Sequence, residues 1–328
     1  MRIAHPDGMT AVYEMIYPWK IPHITKGVLT GVPIISRWRS SRGATGGTDS
    51  PRYCYSVWLR HLLLLDRYGF SIKSAHVGEL GPGDSIGIGL AALISGASRY
   101  TGLDIVPFSR RADLEGIFEK LVQMYSHREP IPDHNEFPFL RPKLDSYEFP
   151  NHLIDWVDFK DRIKIVRHEL RNGVNRGEHV RYEAPWNARD EILSGSLDLV
   201  FSQAVLEHID TLEETYQGMF DWLKPGGYAS HVIDFSAHHL SPVWNGHWAY
   251  SDTEWRLVRG RREFLLNREP LTTHLTYAKK AGYEVLLTSP VYDNHGLSVQ
   301  SFAKRFRQLD AEDARTRGVM SLLRKPSN

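Results

Sequence analysis

The stretch Glu79-Leu80-Gly81-Pro82-Gly83-Asp84-Ser85-Ile86-Gly87 constrains this chain more than any other. Before it, Ser74-Ala75-His76-Val77-Gly78-Glu79-Leu80 is short and apolar enough for a buried strand. After it, Gly87–Gly96 is rich in small and apolar residues and reads as a helix. Glycine lacks a Cβ, so this turn can adopt positive φ and let a ligand approach the backbone. Tyr100-Thr101-Gly102-Leu103-Asp104 reads as a second strand. Strand, glycine turn, helix and strand in succession form the opening unit of a doubly wound α/β sheet.

The turn alone does not name its ligand, because dinucleotide-binding proteins use one as well. Two details separate the readings. The dinucleotide pattern places two residues between its second and third glycines, whereas Gly83 and Gly87 are separated by three. An acidic residue, Glu79, stands at the strand end, where it would repel a pyrophosphate and attract a cation such as the ammonium of a methionine moiety. Asp104 ends the next strand and can accept hydrogen bonds from both hydroxyls of a ribose. A turn that serves packing alone is the competing reading.

The strand–helix rhythm resumes at His179–Tyr182, Leu197–Ser202, a helix through Leu212–Leu223, and Gly227–Phe235, with a last strand at Tyr283–Leu287. Trp222-Leu223-Lys224-Pro225-Gly226-Gly227 is a helix stop that turns the chain into the next strand. Residues 107–178 interrupt the rhythm with helices at Ala112–Tyr125 and Ile154–Arg171 and a proline-rich loop, Pro130–Pro150, between them. A loop of that length in a compact domain is expected to be a lid or binding segment. Toward the N-terminus lie a β-like stretch, Gly27–Ile35, and a loop rich in Arg, Ser and Gly, Arg37–Gly47. A helix follows, N-capped by Asp49 or Ser50, with Pro51 in its first turn and Gly69 as its stop. The expected division is an N-terminal arm and cap helix over residues 1–70 and one α/β domain over 71–328, with a helical, Pro-rich insertion at about 107–178.

Glu79-x-Gly81-x-Gly83, Asp104, Leu197-Asp198-Leu199-Val200, Leu206-Glu207-His208 and Leu223-Lys224-Pro225-Gly226-Gly227 together resemble the class I S-adenosylmethionine-dependent methyltransferases, in particular the small-molecule, methyltransferase type 11-like group. The resemblance covers roughly residues 74–235. It implies a Rossmann-like α/β fold with a seven-stranded mixed sheet, helices on both faces, and S-adenosylmethionine at the carboxyl ends of the strands. It further implies Glu79, Gly81, Pro82 and Gly83 around the methionine portion, and Asp104 with Ile105 at the ribose. The loop Glu183-Ala184-Pro185-Trp186, through Ala184 and Pro185, would lie beside the adenine, and Ser202, Gln203, Ala204 and His208 near the sulfonium. The long insertion between Asp104 and Tyr182 departs from the pattern and bears on the adenine assignment.

Methyl transfer from a sulfonium is an in-line displacement, so positioning can carry most of the catalysis. A hydroxyl acceptor gains from a general base, for which histidine is suited. The segment His231–Trp248 gathers His238, His239, Asp234, Asn245 and tryptophans just after a strand end, where open α/β sheets bind ligands. His238 or His239 is therefore a candidate base with Asp234 orienting it, and His208 is a candidate on the substrate side. The competing readings are a capped loop whose histidines satisfy backbone groups, and Asp234, His238 and His239 as ligands of a divalent cation. A single carboxylate is poor for magnesium, and no resident metal is expected. Arg256, Arg259, Arg261, Arg262 and Arg268 could bind an anionic group of the acceptor or form a solvated face. The helix from Pro51 is expected to cover the cleft, where Tyr53, Tyr55 and Trp58 either touch the acceptor or pack in the core.

A formal net charge of +1 over 328 residues gives no global electrostatic case for nucleic acid or an acidic membrane. One cysteine, Cys54, allows no internal disulfide and suits a cytoplasmic location. No apolar run approaches the length that a membrane-spanning helix needs. The expected activity is O-methylation of a small polar or amphipathic acceptor, such as a sugar, a glycolipid precursor or a secondary metabolite. The rivals are a nucleic-acid methyltransferase, disfavoured by Ser202-Gln203-Ala204-Val205 where base-methylating enzymes of this fold carry an Asn/Asp-Pro-Pro-Tyr-like motif, a non-catalytic cofactor-binding scaffold, and a dehydrogenase, disfavoured by the glycine spacing and Glu79. The oligomeric state is open, a homodimer included.

Overall fold

A computed structural model describes residues 17–30, 47–107, 109, 112–186, 193–262 and 264–327. In chain order the principal elements are α1 (Lys20–Leu29), α2 (Pro51–Asp66), β1 (His76–Leu80), α3 (Gly87–Ser95), β2 (Arg99–Leu103), α4 (Leu114–Ser126), α5 (Phe159–Asn172), β3 (Val180–Glu183), β4 (Leu197–Gln203), α6 (Leu212–Trp222), β5 (Leu223–Asp234), α7 (Asp252–Arg259), α8 (Leu271–Ala281), β6 (Glu284–Tyr292), α9 (Ala311–Arg315) and β7 (Thr316–Arg324). The chain divides into two compact units. The larger comprises Ser40–Phe235, Leu266–Tyr292 and Thr316–Asn328, and the smaller Met1–Arg39, Ser236–Leu265 and Asp293–Arg315.

The larger unit is built on a seven-stranded sheet in the order β3-β2-β1-β4-β5-β7-β6. The first five strands are parallel, and β7 pairs antiparallel with both β5 and β6. The chain winds outward from β1 through β2 to β3, then returns to β4 on the other side. The carboxyl ends of β1 and β4 therefore flank the topological switch point, where sheets of this kind bind ligands. β1 and α3 are buried almost throughout, as their apolar composition requires. One face of the sheet packs through Val77, Leu199, Phe201 and Val232 against α2, α3, α4 and α5. The other packs through Val200, Ala229 and Ile233 against α6 and α8.

Helix α2 begins as its sequence predicts, with the Ser50 hydroxyl accepting from the Tyr53 amide and Pro51 in the first turn. It is a core element: Cys54, Tyr55, Trp58 and Leu59 are inaccessible to solvent. Tyr55 and Trp58 thus take the packing alternative, with Trp58 Nε1 donating to Ser95 Oγ at 2.8 Å. The loop Pro130–Pro150 is held against this helix rather than free to act as a lid. The fully buried guanidinium of Arg60 donates to the carbonyls of Pro142 and Pro132 at 2.7 and 2.9 Å. Tyr55 Oη donates to Glu129 O at 2.6 Å, Ser56 Oγ to Pro132 O at 3.0 Å, and Arg52 pairs with Glu136 at 2.7 Å. Around the loop, the helix expected from Ala112 starts at Leu114, capped by the Asp113 carboxylate, and the one expected from Ile154 starts at Phe159.

In the smaller unit, Gly27–Leu29, read from sequence as the start of a strand, instead end α1; Gly31–Ile35 and all of Arg37–Gly47 except Gly47 lie outside the described residues. Packing explains the difference. A Cβ on Gly27 would stand 2.0 Å from Leu257 O and 2.3 Å from Val258 O, and one on Gly260 would stand 2.1 Å from Gly27 O. Two glycines let the α1 and α7 backbones meet, and that contact outweighs the strand propensity of Gly-Val-Leu-Thr. The buried Lys20 ammonium is satisfied by Ala249 O at 2.7 Å and Glu254 at 2.9 Å. Trp248 packs on Phe302 with ring centroids 5.4 Å apart, and Asn245 makes two backbone hydrogen bonds to Leu297. No helix among the described residues is long and apolar enough to cross a membrane.

Candidate functional site

At the carboxyl end of β1, Glu79 is 1% exposed and accepts a hydrogen bond from Tyr100 Oη at 2.6 Å. Burial raises its carboxyl to about 8, against the pull of Tyr100 and with a further push from Asp104. Without a cation beside it Glu79 is therefore largely neutral at pH 7, so the charge that the sequence places at this strand end develops only when a cation arrives. Gly81 and Gly83 follow at φ 61° and 74°, the left-handed region that glycine adopts without strain. A Cβ on Gly81 would meet the Val205 side chain at 2.7 Å, so the turn lies tightly against the segment after β4. Within α3, a Cβ on Gly89 would stand 2.0 Å from the Tyr100 ring. Gly89 thus makes room for the tyrosine that holds Glu79.

Asp104, one residue beyond β2, is mostly buried, and burial raises its carboxyl above the ordinary range. Its oxygens accept from Ile105 N at 2.8 Å, Gly83 N at 3.3 Å and Tyr182 Oη at 3.5 Å. The carboxylate is thus oriented by the glycine turn on one side and by β3 on the other. Trp186 N donates to Asp104 O at 2.9 Å, which draws the loop Glu183–Trp186, with its cis Ala184–Pro185 bond, alongside. Ile105 is 41% exposed beside it, and Pro82 is buried against Gly102.

At the end of β4, Ser202 is fully buried and its hydroxyl is bonded to His231 Nδ1 at 2.8 Å. Its side chain is committed to that bond, so only its backbone is available to a ligand. Gln203 is half-buried, and Ala204 holds φ 54°, unusual for a residue with a Cβ. Leu206–His208 form a single 3-10 turn. Glu207 is 2% exposed, accepts from Asp234 N at 3.4 Å and is driven well above the carboxylate range by burial. Its Oε2 has no hydrogen-bond partner. Asn267 clamps this turn by donating to Leu206 O and Ile209 O, both at 2.8 Å.

Three residues near the glycine turn escape a motif reading. Thr48 Oγ1 accepts from Ser85 N at 3.1 Å, Thr48 O accepts from the Ser85 hydroxyl and from Cys54 Sγ, and Tyr53 lies against Gln203 and within electrostatic reach of Glu79. The start of α2 thereby rests on the glycine turn. The only sequence signal for this is the helix start itself.

The remaining candidates divide between the units. Asp234 closes β5 in the larger unit, half-buried. His238 and His239 belong to the smaller unit, half-buried and exposed respectively, and take consecutive φ values of 43° and 64°. Of the five arginines, Arg268 is buried in the larger unit, and Arg256, Arg259, Arg261 and Arg262 lie on or just after α7 in the smaller.

The residues at the β1 and β2 ends suit S-adenosylmethionine: two buried acids on adjacent strands, one able to meet an ammonium and one a diol, bracket a turn in which Gly81 and Gly83 carry no side chain. A family profile described as "Methyltransferase domain" matches residues 171–230, from the end of α5 into β5. Among solved structures, the chain is similar to an S-adenosylmethionine-dependent methyltransferase from Mesorhizobium loti (13% identity, 80% of this chain and 96% of that one, TM-score 0.39). It is also similar to geranyl diphosphate C-methyltransferase from Streptomyces coelicolor (11% identity, 81% and 78%, TM-score 0.42) and to phosphoethanolamine N-methyltransferase 2 from Haemonchus contortus (14% identity, 84% and 57%, TM-score 0.42). No curated protein matches the chain. The profile match over β3, β4 and the start of β5 identifies a methyltransferase domain in this part of the chain, and the strand order and the acids at the β1 and β2 ends are those expected of a class I S-adenosylmethionine-dependent methyltransferase.

Proposed function

We propose that the protein methylates a hydroxyl of a small polar or amphipathic acceptor. Bound S-adenosylmethionine supplies an electrophilic methyl group on a sulfonium. Glu79 ionises on meeting the methionine ammonium, Asp104 accepts from the ribose hydroxyls, and the Ala184–Pro185 loop borders the adenine. Gln203 and Ala204 end the strand nearest the sulfonium.

One observation carries the choice of a hydroxyl acceptor. His238 and His239, directly following β5 in the chain, both hold a left-handed backbone that costs a non-glycine residue about 1 kcal/mol or more. Strain of this kind collects at functional sites, and an imidazole is the group a hydroxyl acceptor calls for as a base. Asp234 and His208, in the larger unit, are the accompanying candidates.

The test is transfer of labelled methyl from S-adenosylmethionine into fractionated cell extract. Label in a small, base-stable ether product supports the reading. Label in RNA would replace it with a nucleic-acid activity, and cofactor binding without any transfer would favour a scaffold. If His238→Ala and His239→Ala both retain full turnover, neither histidine is the base.

A further inference from the structure

Gln203 stands where the proposed methyl transfer would occur, and its surroundings fix more than its position. Side chains alternate across a strand, so Leu199, Phe201 and Gln203 share the face of β4 that α2 covers. On α2, His61 is inaccessible to solvent and its ring packs against Phe201 with centroids 5.4 Å apart. Its Nδ1 lies 2.8 Å from Ser230 Oγ, on the neighbouring strand and in register with Phe201. That leaves Nε2, which is buried and has no partner within hydrogen-bond geometry. Gln203 Oε1 is likewise buried without a partner. Gln203 is the side chain within hydrogen-bonding reach of His61, and it also reaches Tyr53, two helical turns earlier on α2.

An unpartnered nitrogen facing an unpartnered carbonyl oxygen is a bond waiting for a small adjustment, because a buried polar group left alone loses its hydration without replacement. Burial keeps the imidazole neutral, lowering it to about 4, so it carries one proton and has one bare nitrogen. Ser230 can donate its hydroxyl to Nδ1, which places the proton on Nε2 and aims it at Gln203 Oε1. The opposite tautomer would set a bare Nε2 against a carbonyl oxygen.

We propose that His61 is a positioning residue that fixes the carboxamide of Gln203 with its oxygen inward and its NH2 toward the reacting groups, so that the acceptor presents an oxygen with free lone pairs at that point. A fixed NH2 favours a hydroxyl, carbonyl or carboxylate oxygen and disfavours an ammonium or another NH group. The proposal rests on the hydroxyl-acceptor reading for its substrate but not for its geometry.

The two parts are tested separately. In the full chain with S-adenosylhomocysteine added and histidines labelled with nitrogen-15, long-range correlations report the tautomer of His61. A proton on Nε2 is expected; a proton on Nδ1 overturns the proposal whatever the acceptor proves to be. With the methyl-accepting extract fraction as substrate, His61→Leu is expected to raise KM about tenfold, the equivalent of one hydrogen bond, with kcat held, and to add nothing in a Gln203→Leu background. Equal losses in both backgrounds would make His61 a purely structural residue and overturn the proposal. If no fraction accepts methyl, the hydroxyl reading fails and the tautomer still decides the geometry.

Discussion

The buried Glu79 makes cofactor binding a proton-linked reaction, and the size of the linkage follows from the structure. In the free protein the carboxyl is raised to about 8 because it is removed from water, with hydrogen bonds from Tyr100 and the Gly89 backbone to offset that loss. A methionine ammonium placed beside it pulls the bound-state value far below neutrality. Binding below pH 8 must therefore expel a proton. With a free value of about 8, the neutral form outweighs the ionised form about tenfold at pH 7 and about a hundredfold at pH 6, so affinity should weaken close to tenfold over that unit, with about 0.9 proton released per cofactor at pH 7.

Calorimetry of S-adenosylmethionine binding in two buffers of different ionisation enthalpy reads both quantities between pH 6 and 7.5. Glu79→Gln should bind more weakly at pH 7.5 and show almost no slope. The sign for stability is the reverse. The folded value lies above the unfolded value of 4.5, so the ligand-free protein is unaffected by this group below pH 4.5 and loses stability as pH rises toward 8. The full loss is on the order of 5 kcal/mol, which Glu79→Gln should largely recover at pH 8. An affinity flat from pH 6 to 7.5, with no buffer-dependent enthalpy, would refute the reasoning: either Glu79 is ionised in the free protein or no ammonium meets it.

Four further outcomes are expected. Gly89→Ala should drive the Tyr100 ring away from Glu79 and weaken cofactor binding at least tenfold while the protein stays folded, since the added Cβ would stand 2.0 Å from that ring; unchanged affinity would detach Tyr100 from the site. Arg60→Leu should leave the Pro142 carbonyl without this donor and the Pro132 carbonyl with Ser56 alone, at a cost of about 2 kcal/mol, and hydrogen exchange should show residues 130–147 losing protection while β1 keeps its own. Gly27→Val should separate α1 from α7 and destabilise the smaller unit by about 3 kcal/mol or more, visible as early proteolysis within residues 17–30. Acidification should destabilise the protein below pH 6.5, because His61, His76, His231 and His274 are lowered by burial to about 4, 4, 3 and 3 and charge on unfolding; the slope approaches about 5 kcal/mol per pH unit before carboxylates add to it, and His274→Phe should reduce it by about a quarter.

What the sequence reveals about this protein depends on whether the deciding interaction is local. The β1 turn is legible because Glu79, Gly81 and Gly83 specify its shape within five residues, and Asp104 adds the next strand end. The seven-stranded sheet follows from the family resemblance, but β7 does not emerge from the residues themselves: Thr316–Arg324 becomes a strand by inserting antiparallel between β5, more than 80 residues earlier, and β6. The same holds at the N-terminus, where Gly27-Val28-Leu29 carries strand-like composition and α7, more than 200 residues away, makes it a helix. In the site, side-chain type was readable and partner was not. Ser202 reads as a cofactor neighbour until His231 claims its hydroxyl, and nothing local in the sequence marks Arg60, which two proline carbonyls surround, or His61, whose ring nitrogens Ser230 and Gln203 direct. Charge was equally hidden: Glu79 and Glu207 are written as acids, and burial raises both, Glu79 to about 8, so that it is predominantly neutral at pH 7 in the free protein. A motif therefore specifies which groups reach a site, whereas protonation and orientation, on which transfer chemistry turns, are set by residues distant in sequence.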